Sequence, residues 1–395
     1  MSKINDLIKE LCPNGVRKYK LSDIVNFENG KGHEKVVNEN GKYVLLTSKA
    51  ISTELKSFRR TDEQLSSLFK NDIAMVMSDL PNGRALAKCF LVDCDDLYTL
   101  NQRVCRLTNK VDFVNEKYLY YILNRNRQLL KYDNGVDQTN LKKDDILKIE
   151  VFIPPIKVQE EIVRILDKFG ELEAELEAEL EARKSQYEFW RGKLLNNTEY
   201  SIVSLGDYAT FSQGIQVDPK DQKDYCVEGM VPFLRIVDFV KEDEPPRYIV
   251  KPDDKYMKKE NQEMVMIRYG ASAAGKVFIN KYGAIANNMF KVNLTTDEID
   301  IKYLWHYLSQ NKIYKSLNNT GGGSTMPAIN FKMASSIQVV LPPKEEQRRI
   351  VNILDKFDAL VNDITEGIPA EIELRRQQYE YYRNKLLSFE ECLDD

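Results

Sequence analysis

The sequence predicts an α+β protein in which two α/β lobes are separated by two long helices, the helices pairing as an antiparallel coiled coil in a pseudo-twofold tandem repeat. Three observations predict this. A stretch at residues 153–169 (IPPIKVQEEIVRILDKF) recurs at 341–357 (LPPKEEQRRIVNILDKF), 188 residues later, with ten of seventeen positions identical. A second block, 183–195 (RKSQYEFWRGKLL), recurs at 375–387 (RRQQYEYYRNKLL) with eight of thirteen identical. A repeat close to half the chain length means two equivalent units. Between the repeated blocks lie longer stretches of short β-type runs and polar turns.

Each repeated block reads as a helix with a marked start. The Pro-Pro pairs (Pro154-Pro155, Pro342-Pro343) end a strand, because proline disfavours helical geometry in the residue before it and tolerates the first helical turn. Beyond the first pair, apolar residues fall at Ile162, Ile165 or Leu166, Phe169, Leu172, Leu176 and Leu180, a narrow seam at helical spacing. No proline interrupts 158–195, so a helix of roughly 55–60 Å is possible at about 1.5 Å per residue. So long a helix with a single seam wants a partner, and the second copy supplies one. The boundaries expected are a first lobe at 1–152, a central strut at 153–197, a second lobe at 198–340 and a C-terminal strut at 341–395.

The first lobe opens with a short helix over 1–11, amphipathic rather than a signal peptide, stopped by Cys12-Pro13-Asn14-Gly15. Strands are expected around 43–46, 73–77 and 104–107, and in the second lobe around 231–236, 264–267 and 276–279. The lobes echo each other loosely. Leu21, Asp23, Phe27 and Gly30 match Leu205, Asp207, Phe211 and Gly214, and Lys117-Tyr118-Leu119 matches Lys302-Tyr303-Leu304 at a helix start. If the struts pair antiparallel, the lobes lie at opposite ends and reach two separated patches of an elongated ligand.

The first strut contains ELEA three times over 171–182. These residues form a strong helix, solvated apart from its leucines. The pattern also reads as a ruler, since a tetrapeptide adds about 6 Å of helix. In the second strut, Gly367-Ile368-Pro369 should break or kink the helix.

Composition fits a soluble, cytoplasmic protein of two or three domains, with 43% hydrophobic and 30% charged residues. No apolar run approaches the roughly 20 residues of a membrane span. The six cysteines show no CxxC pair, so reduced thiols are expected rather than zinc or disulfides. The net charge of −4 sits in the struts, with 7 basic against 10 acidic residues in 151–198 and 8 against 13 in 339–395. Neutral-to-basic lobes remain, which permits nucleic-acid binding.

Catalytic motifs are wanting. Residues 270–277 (GASAAGKV) imitate a phosphate loop, but Val277 stands where a hydroxyl residue would hold magnesium, and a strand follows where a helix is needed. EPPRY at 244–248 reads as a turn. His33 sits in a polar loop and His306 in a helix, and no metal spacing or nucleophile–base pair stands out. A non-enzyme without cofactor or metal is expected. What remains is recognition by side chains that pair with base edges or phosphates. In the first lobe the candidates are Lys31, Lys35, Asn82, Arg84, Asn101, Gln102, Arg103, Gln138, Thr139, Asn140, Lys142 and Lys143. In the second they are Gln213, Gln216, Arg235, Arg268, Tyr269, Ser272, Lys276, Asn287, Asn288, Asn319, Thr320, Ser324 and Thr325.

With the two PPxxxQ…IVxILDKF blocks, the 364–389 tail (ITEGIPAEIELRRQQYEYYRNKLLSF) and the start at 4–15 (INDLIKELCPNG), the chain resembles the specificity (S) subunit of type I restriction–modification systems over nearly its whole length. That resemblance implies two target-recognition domains, each reading half of a bipartite site in double-stranded DNA. It further implies struts that space the domains and dock two modification (methyltransferase) subunits, joined by restriction (translocase/nuclease) subunits. S-adenosylmethionine and ATP with magnesium would act in those partners, in a defence against foreign DNA. Gln159/Gln347, Ile162/Ile350, Phe169/Phe357, Tyr187/Tyr379 and Arg191/Arg383 are expected in helix pairing or docking, with the division between those roles open. The alternative is an orphan or non-DNA coiled-coil scaffold without catalysis of its own.

Overall fold

The computed structural model describes all residues except 1, 34, 81–82, 242–243, 271–272, 320–327, 364 and 393–395. It divides into two compact units, residues 1–175 with 372–395, and residues 176–371. Each unit contains one lobe and a length of helix from each strut.

In the first unit, a four-stranded antiparallel sheet runs in the order Val25–Asn29, Val104–Asn109, Ile73–Val76, Cys89–Leu91. A three-stranded sheet places Tyr43–Leu46 between Arg59–Thr61 and Tyr98–Leu100, pairing antiparallel with the former and parallel with the latter. The second unit repeats this. Ala209–Gln213, Met289–Leu294, Met264–Ile267 and Val277–Phe278 form an antiparallel sheet. Tyr248–Val250, Met230–Leu234, Gly283–Ile285 and Met257–Lys258 form the mixed one, with Met230–Leu234 and Gly283–Ile285 parallel. A short antiparallel pair introduces each strut: Lys18–Lys20 with Glu150–Phe152, and Ser201–Ser204 with Gln338–Leu341.

The first strut is one helix, Ile156–Leu195. The second is two, Lys344–Asn362 and Ile368–Leu386. Asp363 makes the break, its carboxylate accepting from the Thr365 and Glu366 backbone N–H groups. A Cβ on Gly367 would lie 2.5 Å from the Asp363 carbonyl oxygen and 2.6 Å from that of Ala359, so only glycine fits where the next helix starts.

The helices pair antiparallel, and aromatic contacts mark the seam in each unit. Phe169 lies 6.3 Å from Tyr379 and 5.6 Å from Tyr382, while Arg376 meets Glu173 at 2.6 Å. Phe357 stacks on Tyr187 at 6.2 Å. Ile162 and Leu166 share their core with Tyr118 and Leu119 of the lobe helix Glu116–Leu123. Ile350 and Leu354 do the same with Tyr303 and Leu304 of Ile301–Leu308.

Strut and lobe are joined by one buried amide, twice. Gln159 Oε1 accepts from the Asn115 backbone N–H at 2.8 Å, and its Nε2 donates to the carbonyls of Phe113 (2.9 Å) and Pro154 (2.7 Å). Gln347 Oε1 accepts from Asp300 N–H at 2.7 Å, and its Nε2 donates to the Glu298 (2.8 Å) and Pro342 (2.9 Å) carbonyls. Asn115 and Asp300 are themselves the N-caps of the two lobe helices, accepting from Tyr118 N–H and from Lys302 and Tyr303 N–H. The clamp therefore fixes where each lobe helix begins. The next shared residues reinforce it: Tyr118 Oη donates to Phe152 O at 3.0 Å and Tyr303 Oη to Val340 O at 2.7 Å.

Both glutamines are fully buried. Truncation leaves one N–H and two carbonyls without partners, each costing about 1–3 kcal/mol. Gln159→Ala and Gln347→Ala are each expected to lower unfolding free energy by about 3 kcal/mol or more, measured by urea titration. Near-neutral variants would mean that water replaces the amide.

Candidate nucleic-acid interface

Backbone hydrogen bonds gather the polar loops of the first lobe at one end of its four-stranded sheet. Gly30 N–H donates to Val104 O (2.9 Å), Lys31 N–H to Leu100 O (3.2 Å), Met77 N–H to Arg103 O (2.9 Å) and Leu141 N–H to Met77 O (2.8 Å). A Cβ on Gly30 would fall 2.1 Å from the Asn101 carbonyl oxygen, so the turn after Val25–Asn29 closes on the 101–103 turn only with glycine. Lys31, Gln102, Arg103, Gln138, Asn140, Lys142 and Lys143 are thereby brought to one edge, all exposed. Asp79 shapes the neighbouring turn by accepting from Ala85 N–H (2.7 Å) and Leu86 N–H (3.2 Å), beside exposed Arg84. Gln138 Nε2 donates to Ser78 Oγ at 2.8 Å, and Lys143 Nζ lies 5.7 Å from the Phe27 ring. Lys35 is exposed further along the first loop.

The second lobe builds the same end from different residues. Gly214 N–H donates to Met289 O (3.2 Å), Ile215 N–H to Ile285 O (2.8 Å), Arg268 N–H to Asn288 O (2.9 Å) and Ile329 N–H to Arg268 O (2.9 Å). A Cβ on Gly214 would approach the Ala286 carbonyl oxygen to 2.2 Å, matching Gly30. Asn287 Nδ2 donates to Gln216 Oε1 at 3.0 Å, and Gln213 Nε2 to Asn287 O at 3.4 Å. The Arg268 guanidinium lies 4.9 Å from the Tyr269 ring. Lys276 is exposed two residues into the turn after Ala274. Both edges present cationic and amide side chains, the chemistry for phosphates and base edges.

Several expected contacts stand elsewhere. Thr139 is buried in the short strand pair with Asp79, so its side chain does not face a ligand. Asn101 is half-buried, with Oδ1 accepting from Arg103 N–H. Arg235 is tied to Asp238 at 2.7 Å, to Glu244 at 3.4 Å and to the Pro245 carbonyl at 2.9 Å. These bonds leave its guanidinium little capacity for DNA. Asn82, Ser272, Thr320, Ser324, Thr325 and the side chain of Asn319 lie outside the described residues.

His33, which the sequence places in a polar loop, is not solvated. It is fully buried, with Nδ1 on the Lys31 carbonyl (2.8 Å) and Nε2 on Thr99 Oγ1 (3.0 Å). A carbonyl can only accept, so Nδ1 carries the proton and the imidazole anchors the loop bearing Lys31. His306 is also buried, its Nε2 2.8 Å from Asp355 Oδ1. Burial works to raise the Asp355 carboxyl, but the hydrogen bonds from His306 and Lys302 outweigh it and hold the group below the ordinary range. In the first unit the matching carboxylate, Asp167, meets Lys117 at 2.7 Å and Tyr121 Oη at 2.5 Å. Val277 opens a strand, so the phosphate-loop imitation continues as β structure.

The struts sort the remaining candidates. Gln159, Gln347, Ile162 and Ile350 are buried and hold lobe to strut, which removes them from any docking surface. Phe169, Phe357, Tyr187 and Tyr379 face the helix seam. Arg383 is buried and donates to the carbonyls of Tyr121 and Asn124 at the C-terminal end of a lobe helix, where a cation is favoured. Arg191, also buried, pairs with Glu188 at 2.7 Å. The large apolar side chains exposed in the same blocks are Phe189 (63%) and Tyr381 (62%), which occupy equivalent positions of the repeat. The repeat differs there, Phe against Tyr, so identity between the two copies does not mark them.

Compared with known proteins, the chain matches the model of the type I restriction modification DNA specificity domain twice, over residues 13–182 and 197–374. It is 35% identical over 253 residues to the EcoR124I/EcoR124II specificity subunit of Escherichia coli, covering 59% of this chain and 60% of that one. The match thus spans under two thirds of that relative's length. It is 34% identical over 306 residues to a putative type I restriction enzyme specificity subunit of Haemophilus influenzae, covering 72% and 74%. A putative type I specificity subunit of Mycoplasma pneumoniae is 27% identical over 95% of this chain and 98% of its own. In fold, the chain resembles the S subunit of a type I restriction–modification system from M. genitalium (TM-score 0.54, 17% identity, 94% and 96% covered). It also resembles a chain from work on complex assembly and conformational transition of the type I R-M system (TM-score 0.66, 16% identity, 94% and 97% covered).

The buried and exposed basic groups should separate in a binding assay. Lys143→Ala is expected to weaken binding to duplexes of any sequence and reduce the slope of log K against log salt by about one. His33→Ala should leave that slope unchanged and lower the melting temperature. A slope change in His33→Ala with intact stability would place the imidazole on the nucleic acid.

Proposed function

This chain belongs to the family of type I restriction–modification DNA specificity subunits, and on that premise we propose how its parts divide the work. Each lobe reads one half of a bipartite site in double-stranded DNA through the loop edge at the end of its four-stranded sheet. The helices set the gap between the half-sites and dock two modification subunits, which methylate adenine with S-adenosylmethionine. Restriction subunits, driven by ATP and magnesium, join the same complex in the cytoplasm. The chain itself binds and positions, and its partners carry the bond-making steps and their cofactors. Among the described residues no helix is long and apolar enough to cross a membrane.

The observation that carries this reading is the duplication of the edge. Two diverged sets of polar side chains hang on the same backbone hydrogen bonds, Met77 to Arg103 and Arg268 to Asn288, while the clamps behind them are nearly identical. Different side chains on one frame are what two half-sites of different sequence require. A coiled-coil scaffold without DNA would need no such pair of edges, and the double family match gives that alternative no support.

The first strut is continuously helical through its three ELEA units, with Leu172, Leu176 and Leu180 half-buried and the glutamates mostly exposed. Removing one unit shortens the helix by about 6 Å and turns it by only about 40°, so the leucine seam stays nearly in phase. Deleting residues 175–178 is expected to shorten the unspecified gap by one to two base pairs, at about 3.4 Å per step, with both half-sites unchanged. Methylation at the original gap by the deleted protein would refute the spacing role.

A further inference from the structure

The two edges differ in one ordered way. In the first lobe the strand register pairs Val76 with Val104, so the next residues outward, Met77 and Arg103, face each other at the strand ends. In the second, Ile267 pairs with Met289, and Arg268 faces Asn288. Residues directly opposite in an antiparallel pair share a face, with Cβ atoms about 4.5–5.5 Å apart. Each lobe thus ends its two central strands in a facing pair with one arginine, but on opposite strands: the longer Val104–Asn109 strand supplies it in the first lobe, the Met264–Ile267 strand in the second.

Met77 packs against the core of its lobe, but the two arginine side chains are not used to hold the fold. Arg103 is exposed, and among the described residues its guanidinium has no hydrogen bond or ion pair. Arg268 is half-buried, with its guanidinium over Tyr269 and likewise no polar partner there. Asn288 Oδ1 is buried without a hydrogen-bond partner. An oxygen buried in this way is not presented to a base edge. By contrast Arg235, Arg383 and Arg191 are all tied to carboxylates or carbonyls.

We propose that the arginine of this facing pair is a specificity determinant of each lobe, an inference that rests on the DNA-reading function above. A planar guanidinium matches the two acceptors of guanine. The first lobe reads a guanine through Arg103. The second reads a guanine through Arg268. Exchange of the arginine between strands moves it by about 4.8 Å, more than one base-pair rise of about 3.4 Å. The guanine therefore occupies a different position in each half-site relative to its lobe.

The test uses the full chain assembled with its modification subunits, selecting duplexes from a randomised double-stranded DNA pool. Arg103→Lys and Arg268→Lys keep the charge for a phosphate but lose the bidentate fork. Each is expected to reduce discrimination at a single guanine about 10- to 100-fold, in one half-site only, with the two variants affecting different halves. An unchanged motif with uniformly weaker binding would overturn the proposal, because it would make these phosphate contacts. A change in both halves by one variant would overturn it too. If the unaltered complex selects no two-part motif, the DNA-reading function itself fails, an outcome distinct from the others.

Discussion

The structure depends on one buried side-chain amide, used twice. Gln159 and Gln347 each receive the N–H of the residue that caps a lobe helix and give both amide protons to carbonyls, one of them at the Pro-Pro turn that starts the strut. A glutamine side chain offers one acceptor and two donors at fixed angles, so it satisfies all three groups at once where water would need several molecules. The strut start, the cap and the loop before it are thereby locked to one another. Everything the lobe presents is referred to the strut through that lock.

Around the lock the two units spend their sequence differently. The cores beside the struts keep the same partners, as in Lys117–Asp167 and Lys302–Asp355. One position has drifted from Tyr121 to His306 while keeping its carboxylate contact. At the far edge almost nothing is shared except the backbone bonds and Gly30/Gly214, whose missing Cβ lets two turns close. Side chains that pack against a helix must keep their shape, whereas side chains that meet a ligand are free to differ. The exposed aromatics Phe189 and Tyr381 sit between these extremes, kept as aromatic rings but not as identities.

Much of this was legible in the sequence for identifiable reasons. The strut helix declares itself through proline at its start, an apolar seam to Leu180 and no further proline as far as residue 195, and the 363–367 break through Gly367 and Pro369. Strand positions such as 43–46 and 264–267 follow from their apolar, β-branched runs. The lobe pairing was partly legible from Gly30 and Gly214. What was not legible depends on contacts distant in sequence. Nothing local says that His33 is roofed by Thr99, that Thr139 turns inward against Asp79, or that Arg235 is taken up by Asp238 and Glu244. The same holds for Gln159, whose identity in both copies marked it as important but whose partners at 113 and 115 lie more than forty residues away. Identity between repeats therefore pointed to packing.

The central claim is that the chain holds two independent readers on one frame. The most direct measurement is a genome-wide adenine methylome from cells carrying the modification subunit with this chain, compared with cells in which residues 199–338 are replaced by the matching lobe of a relative. The expected result is a two-part motif that appears only when the chain is present, of which the replacement changes one half and leaves the other half intact. A replacement that alters both halves, or neither, would contradict it.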